Sequence, residues 1–169
     1  EARLAVEAAI LHNGPVYIRF GRAAVPVIND NPDYKFEIGK GTIVREGTDV
    51  TIVATGIMVA AAMDAREILA NEGIDAAVLD IHTVKPLDTE LVLEYAKKTG
   101  NVVTSEEHSV IGGLGDAVIA ALAESACAKV VKHGIDDVFG TSAPAGVLLE
   151  HYKLNAAGIV EKVKKLLNK

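Results

Sequence analysis

A glycine-rich stretch in the second half of the chain has the composition of a loop that binds phosphate groups. Gly112, Gly113 and Gly115 follow a predicted strand and precede a predicted helix, where α/β proteins often bring backbone N–H groups to an anion. The dinucleotide-binding pattern needs a further glycine at position 118, which is occupied by Val118. The sequence pattern of P-loop nucleotide-binding proteins is also absent from the sequence. We therefore interpret these glycines as residues that permit a tight turn and close packing of the helix on the strand.

Two acidic residues and a histidine come shortly before this loop. Glu106, Glu107 and His108 fall at the carboxyl end of a predicted strand, a common position for ligands in α/β proteins. Two carboxylates beside an imidazole could form a proton-transfer site, because each charge changes the pKa of its neighbours. Consecutive residues of an extended segment point to opposite sides, however, so the three side chains need not converge. A polar loop or a subunit-contact loop is the favoured interpretation.

An arginine near the start of the chain is the third candidate. Arg22 follows the sequence PVYIRF at residues 15–20, which predicts a strand, and it lies next to Gly21. A guanidinium at the end of a strand suits bidentate binding of a phosphate or a carboxylate. Spacing alone favours an exposed arginine in a salt bridge. Arg19, inside the predicted strand, is the weaker candidate.

The remaining reactive residues show no catalytic or metal-binding spacing. Cys127 is the single cysteine and cannot form an intrachain disulfide, and the histidines have no zinc-finger arrangement. His82 is expected to hydrogen-bond locally, and the serines lack the context of a nucleophile elbow. We therefore predict no catalytic residue and no metal site within this chain.

Regular alternation of strands and helices after residue 41 predicts the fold that must position these residues. The predicted strands lie at 42–47, 48–56, 75–83, 101–106 and 128–134. The predicted helices lie at 57–70, from Asp88 as N-cap to Lys98, at 114–125, from Pro144 onwards and from Asn155 as N-cap to the end. This alternation predicts a three-layer α/β/α sandwich with a mostly parallel sheet.

The start of the chain does not follow this alternation. Residues 1–12 are predicted to be a helix without an N-cap residue before it, the strand at 15–20 follows, and turn-forming residues then predict a linker at 25–41. One helix and one strand cannot bury their own apolar faces. We therefore predict that residues 1–24 end a preceding domain and that residues 42–169 form a domain of their own. Alternatively, the helix and strand join the main sheet.

The composition of the chain limits the partners and the cellular location that we expect for it. The net charge of −6 argues against a nucleic-acid surface, which would need clustered cations. The chain has neither a long uncharged apolar run nor a signal-peptide pattern, so we predict neither membrane insertion nor export. A single cysteine fits a reducing compartment, and a cytoplasmic location is expected.

Four sequence blocks resemble a known family. In order they are VTIVATGIMVAAAMDA, DIHTVKPLD, VVTSEEHSVIGGLGDAV and DVFGTSAPAGVLLEHYKLNAAGIV, and together they span most of residues 48–160. They are similar to the C-terminal domain of transketolases, most of all to the split form in which a separate polypeptide carries the C-terminal half. Residues 1–24, which include GPVYIRFGRAAVP, are similar to the end of that family's middle, pyrimidine-binding domain.

The resemblance implies a function for the assembled enzyme rather than for this chain alone. Transketolases transfer a two-carbon ketol unit between sugar phosphates with thiamine diphosphate and Mg²⁺, and the family binds both in domains that lie upstream of this sequence. The implied partner is the N-terminal transketolase section, in a homodimer or a heterotetramer. Two related classes stay open as alternatives: 1-deoxyxylulose-5-phosphate synthase and the β subunit of 2-oxo acid dehydrogenase E1. A non-catalytic module that binds a partner through residues 106–115 is a further alternative.

The resemblance also changes the expectation for the candidate residues. The family's sugar-phosphate arginine, which follows the last strand of the middle domain, corresponds to Arg22. The family's C-terminal domain has no close contact with the cofactor or the reacting carbon. Glu106, Glu107 and His108 are accordingly expected to serve an interface, as is the glycine loop that follows them.

Overall fold

The computed structural model describes residues 1–22, 24–125 and 127–169. Ala23, which falls within the predicted 1–24 segment, is therefore outside the described residues. The strands are β1 (Thr42–Arg45), β2 (Val50–Ala54), β3 (Ala76–Asp80), β4 (Asn101–Ser109) and β5 (Lys129–Ile135). The helices are α1 (Ala2–Leu11), α2 (Met58–Asn71), α3 (Thr89–Thr99), α4 (Leu114–Leu122), α5 (Ala145–His151) and α6 (Ala156–Leu167). Each helix among these residues is too short or too polar to cross a lipid bilayer.

The five strands form one sheet in the order β1-β3-β2-β4-β5. β3, β2, β4 and β5 run parallel, and only the edge strand β1 is antiparallel to its neighbour β3. The mostly parallel sheet is confirmed. Successive side chains of a strand point to opposite faces, so the fully buried strands β2 and β3 must contribute to two cores.

Helices cover both faces of the sheet, which confirms the three layers. On one face, Ile52 of β2 and Val103 of β4 pack in a core with α2 and α6. On the other face, Val53 and Val102, the neighbours of those residues, pack in a core with α3 and α4. Hydrophobic residues at successive positions of one strand therefore serve opposite layers.

The ends of α3 follow the prediction. The Asp88 carboxylate accepts a hydrogen bond from the backbone N–H of Leu91 at 3.2 Å, which is the expected N-cap contact. Gly100 ends the helix with a φ of 67°, in the left-handed region that favours glycine. Asn155 caps α6 in the same way through the N–H of Gly158 at 2.9 Å.

Two sequence-based assignments of strands were wrong. Residues 15–20 are extended and exposed but form no strand, because no neighbouring strand accepts their backbone hydrogen bonds. The alternative in which they join the main sheet is wrong for the same reason. β4 runs to Ser109 instead of ending at residue 106, because Ser109 pairs with Ile135 of β5 after an irregularity in the register.

The N-terminal segment contacts the carboxyl end of β3 through a buried acid. Asp80 is 3% exposed, and its Oδ2 accepts a hydrogen bond at 3.1 Å from the side-chain amide of Asn29. The same amide donates to the carboxylate of Glu1 at 3.0 Å. Burial, followed by the nearby charge of Glu1, raises the pKa of Asp80 to about 8. The folded chain therefore favours a protonated, neutral Asp80.

This contact predicts how stability depends on pH. The pKa of Asp80 is higher in the folded state than its ordinary 3.8, so the folded state binds more protons, and stability should fall as pH rises from 3.8 to about 8. Asp80→Asn cannot ionise at this position, so its free energy of unfolding should fall by less than that of the parent over this range. The difference should be at least about 1.4 kcal/mol, the equivalent of one pKa unit. Urea unfolding at several pH values measures the difference. The exposed control Asp30→Asn should behave as the parent does, and equal slopes for Asp80→Asn and the parent would contradict the assignment.

Candidate functional site

The carboxyl end of β4 contains a buried carboxylate that contacts the start of α4. Glu106 is 3% exposed, although it carries an ionisable group. Its two carboxylate oxygens accept hydrogen bonds from the backbone N–H groups of Leu114 and Gly115, both at 2.8 Å. The positive end of the helix dipole favours an anion at this position. The anion that the glycine loop cradles is thus a side chain of the protein itself.

The glycines of the loop are explained by this contact. A Cβ atom at Gly113 would collide with the carboxylate of Glu106. A Cβ atom at Gly115 would lie 2.6 Å from the Cδ of Lys132. Gly112 has a φ of 78°, which side chains rarely permit. The glycines therefore permit a turn and close packing, as the sequence predicted, and Val118 contributes a fully buried side chain to the core.

An ion pair that sequence reasoning missed closes the outer side of the loop. The Lys132 ammonium donates hydrogen bonds to the Asp116 carboxylate at 2.8 Å and to the Val110 carbonyl at 2.6 Å. The other oxygen of Asp116 accepts from the N–H of Gly112 at 2.6 Å. The hydrogen bond from Lys132, and then that from Gly112, lower the pKa of Asp116. The one sequence signal for this ion pair was Asp116, an acidic residue in the first turn of the predicted helix, where its charge interacts favourably with the helix dipole.

The structure does not bring Glu106, Glu107 and His108 together. Glu106 points inward, whereas Glu107 and His108 are exposed. The carbonyl of Glu107 accepts a hydrogen bond at 3.3 Å from the guanidinium of Arg19, and the His108 Nδ1 lies 2.9 Å from the carbonyl of Ser109. This arrangement offers no acid–base pair facing a common space.

Arg22 lies in the extended segment that passes the same edge of the sheet. Its side chain is exposed and available to an anion from solution. A Cβ atom at the preceding residue, Gly21, would lie 3.9 Å from the Cγ2 of Ile57, at the start of α2. The segment therefore runs close to the loop that follows β2. The guanidinium has the chemistry for a phosphate or a carboxylate.

A buried histidine links two strands to the end of α5. His133 is 2% exposed; its Nδ1 lies 2.9 Å from the hydroxyl of Ser105, and its Nε2 lies 2.9 Å from the carbonyl of Lys153. Burial is the main cause that lowers the pKa of His133. Ser105 is fully buried, so this serine–histidine pair is closed to substrate. His82, in contrast, makes the predicted local contact, with its Nδ1 2.8 Å from the hydroxyl of Thr83.

The described residues do not fit a diphosphate or a metal ion. The loop with the shape of a phosphate cradle is filled by Glu106, which a diphosphate could not displace without leaving a buried charge unpaired. In the described ranges, no three His, Cys, Asp or Glu side chains are grouped so that they could hold a metal ion.

Comparison with known proteins gives several close relatives. The chain is 48% identical over 161 residues to a 6-deoxy-6-sulfo-D-fructose transketolase subunit of Clostridium sp. (strain MSTE9), covering 95% of this chain and 49% of that protein. It is 41% identical over 160 residues to a putative transketolase C-terminal section of Methanocaldococcus jannaschii, covering 94% of this chain and 50% of the other. A 1-deoxy-D-xylulose-5-phosphate synthase of Heliobacterium modesticaldum is 39% identical over 160 residues, 94% of this chain and 25% of that protein.

A solved structure has the same fold. It is described as a split gene transketolase, inactive beta4 tetramer, and it superposes with a TM-score of 0.93 at 52% identity, covering 98% of this chain and 54% of the other. The chain thus spans about half the length of the transketolase relatives given above. Residues 39–159, most of the chain, match the family described as the transketolase C-terminal domain. This chain belongs to the transketolase C-terminal domain family.

Proposed function

We propose that this chain is the C-terminal part of a split transketolase, which transfers a two-carbon ketol unit between sugar phosphates only when it is assembled with its partner. The observation that carries this proposal is the likeness to the split gene transketolase, 52% identical over 98% of the chain. The relatives described as a transketolase subunit and as a putative transketolase C-terminal section, at 48% and 41% identity, support the same proposal. The sugar phosphates would be those of the pentose phosphate pathway, in the cytoplasm.

A second candidate function is supported by the synthase relatives. The 1-deoxy-D-xylulose-5-phosphate synthase of Heliobacterium modesticaldum is 39% identical over 94% of the chain. Both enzyme classes act on phosphorylated sugars, so the phosphate contact does not distinguish them. The donor does: a transketolase takes the ketol unit from a ketose phosphate, whereas the synthase reaction starts from pyruvate. We favour transketolase because a solved split transketolase and a transketolase subunit are 52% and 48% identical to the chain.

Thiamine diphosphate and Mg²⁺ would be held outside this chain. Bound there, thiamine diphosphate supplies the stabilised carbanion that ketol transfer needs. The glycine loop of this chain, which has the shape of a phosphate cradle, is filled by Glu106. The partner would be the N-terminal transketolase section, in a homodimer or a heterotetramer of the two sections. The solved relative is described as a beta4 tetramer that is inactive, which is consistent with an active site that needs more than this section.

Within this chain, Arg22 is the residue we propose to contact substrate. Its guanidinium is exposed, carries a fixed positive charge and can bind a phosphate through two parallel hydrogen bonds. Glu107 and His108 are exposed on the same edge of the sheet, and we propose that they contact a neighbouring subunit. Glu106 and the loop glycines would shape that surface from within, without touching substrate.

The cofactor assignment predicts that this chain alone binds no thiamine diphosphate. Titration calorimetry with thiamine diphosphate and Mg²⁺ should give no binding heat for the chain, and binding should appear when the N-terminal section is added. Micromolar binding by the chain alone would contradict the assignment. Ketol transfer from xylulose 5-phosphate to ribose 5-phosphate by the mixture, and by neither section alone, would support the proposed function.

The phosphate assignment predicts a selective effect of Arg22→Ala. Removal of a charge-assisted contact costs about 1.5–3 kcal/mol, so the KM for ribose 5-phosphate should rise by about tenfold or more in the assembled enzyme. The KM for unphosphorylated ribose should not change. Arg3→Ala removes the same charge from an exposed site whose ion pair lies within α1, and it is the matched control. An unchanged KM for the phosphorylated sugar would contradict the role of Arg22.

The structural role of Glu106 predicts a loss of stability rather than of catalysis. In Glu106→Gln an amide NH₂ replaces one carboxylate oxygen, so one of the two backbone N–H groups at the start of α4 loses its hydrogen-bond acceptor. The free energy of unfolding should therefore fall by about 1.5–3 kcal/mol. The neighbouring exposed variant Glu107→Gln should change it by less than about 0.5 kcal/mol. Chemical denaturation measures both. A large loss of kcat in Glu106→Gln without a loss of stability would indicate a catalytic role instead.

A further inference from the structure

The order of the strands creates a crevice between the carboxyl ends of β2 and β4. β2 is followed by α2, which lies on one face of the sheet, and β4 is followed by α4, which lies on the other. The two loops therefore diverge from each other at this point. In doubly wound α/β folds such a switch point is the usual position for a ligand. Below it, the two strand ends are joined by a hydrogen bond from the N–H of Thr55 to the carbonyl of Ser105 at 3.2 Å.

Residues 19–22 of the same chain lie at this crevice. On the β4 side, the Nη2 of Arg19 donates a hydrogen bond to the carbonyl of Glu107 at 3.3 Å. On the β2 side, the segment passes near Ile57, because a Cβ atom built at Gly21 would lie 3.9 Å from its Cγ2. The segment thus makes one hydrogen bond to β4 and passes close to the loop that follows β2. Arg22 follows directly after Gly21.

Few other interactions hold this segment. Among the described residues, the hydrogen bond from Arg19 is the one that joins residues 15–22 to the five-stranded domain. The segment has no strand or helix of its own, and its side chains are exposed. Without the Arg19 contact, the backbone on either side of Gly21 would be free to rotate. The conformational entropy of Arg22 and its backbone would then be lost when a phosphate binds, which would weaken binding.

We propose that Arg19 is a positioning residue, which holds residues 19–22 across the switch-point crevice so that Arg22 is presented to the substrate phosphate. The inference rests on the proposed function of Arg22 and deepens it. It also gives the domain a definite part in substrate binding, because the last residues of β4 supply the acceptor that holds Arg19 and, through it, Arg22. The carbonyl of Glu107 is itself fixed from the neighbouring position, since the side chain of Glu106 is anchored on α4.

The test uses the assembled enzyme with both sections. In Arg19→Ala we expect the KM for ribose 5-phosphate to rise by about three- to tenfold, while kcat and the KM for unphosphorylated ribose stay within about twofold. Arg19→Lys keeps a donor for the carbonyl of Glu107 and should recover part of the effect. The double variant Arg19→Ala with Arg22→Ala should be no worse than Arg22→Ala alone, because Arg19 acts through Arg22. Arg3→Ala is again the charge-matched control.

A second readout separates failure of this inference from failure of the proposed function. Backbone order parameters from NMR relaxation should be lower in Arg19→Ala than in the parent at residues 15–22, and unchanged in α3. If Arg22→Ala is phosphate-selective but Arg19→Ala changes neither KM nor the order parameters, the positioning role is overturned. If Arg22→Ala itself has no selective effect, the assignment of Arg22 is overturned, whatever the order parameters show. A fall in kcat of Arg19→Ala with both acceptors would also overturn the inference, since it would indicate a general structural defect.

Discussion

The carboxyl end of β4 depends on the burial of the Glu106 carboxylate. A charge in the interior is costly, and it is retained only where hydrogen bonds and opposite charge compensate for lost hydration. Glu106 meets this condition with two backbone N–H groups and the positive end of α4. The requirement extends to its surroundings, since Gly113 and Gly115 cannot carry side chains without displacing either the carboxylate or Lys132. The ion pair of Lys132 with Asp116 then closes the loop from outside.

This arrangement separates the domain from nucleotide-binding proteins of similar architecture. In those proteins the glycine loop and the start of the following helix remain open, so that backbone N–H groups can bind a phosphate from solution. Here the anion is provided by the protein itself, as the side chain of Glu106. The same geometry is thus converted from a ligand site into a rigid support. Accessible polar groups at this edge include those of Glu107, His108 and Arg22.

The sequence predicted the layers of the fold more reliably than the details of the edge. Local signals determined the ends of α3, because Asp88 and Gly100 act within one helical turn of their own positions. Glu106 is different, because it caps a helix that begins eight residues later, at Leu114. No short-range pattern marks such a contact. The segment at 15–20 has the residues of a strand, yet strand formation requires a neighbouring backbone, which composition alone does not provide.

The role that we propose for Arg22 gives the domain a way to affect substrate binding. An exposed arginine on an unpaired segment would lose much of its binding free energy to the ordering of its own backbone. The domain reduces that loss if it fixes the segment before the substrate arrives. The switch point is suited to this, because β4 accepts the hydrogen bond of Arg19 and the loop after β2 lies close to Gly21. Because Glu106 anchors this end of β4 on α4, the buried carboxylate would be connected to the exposed guanidinium of Arg22 through Glu107 and Arg19. Under this proposal the domain would increase the affinity for phosphate by restricting the motion of residues 19–22.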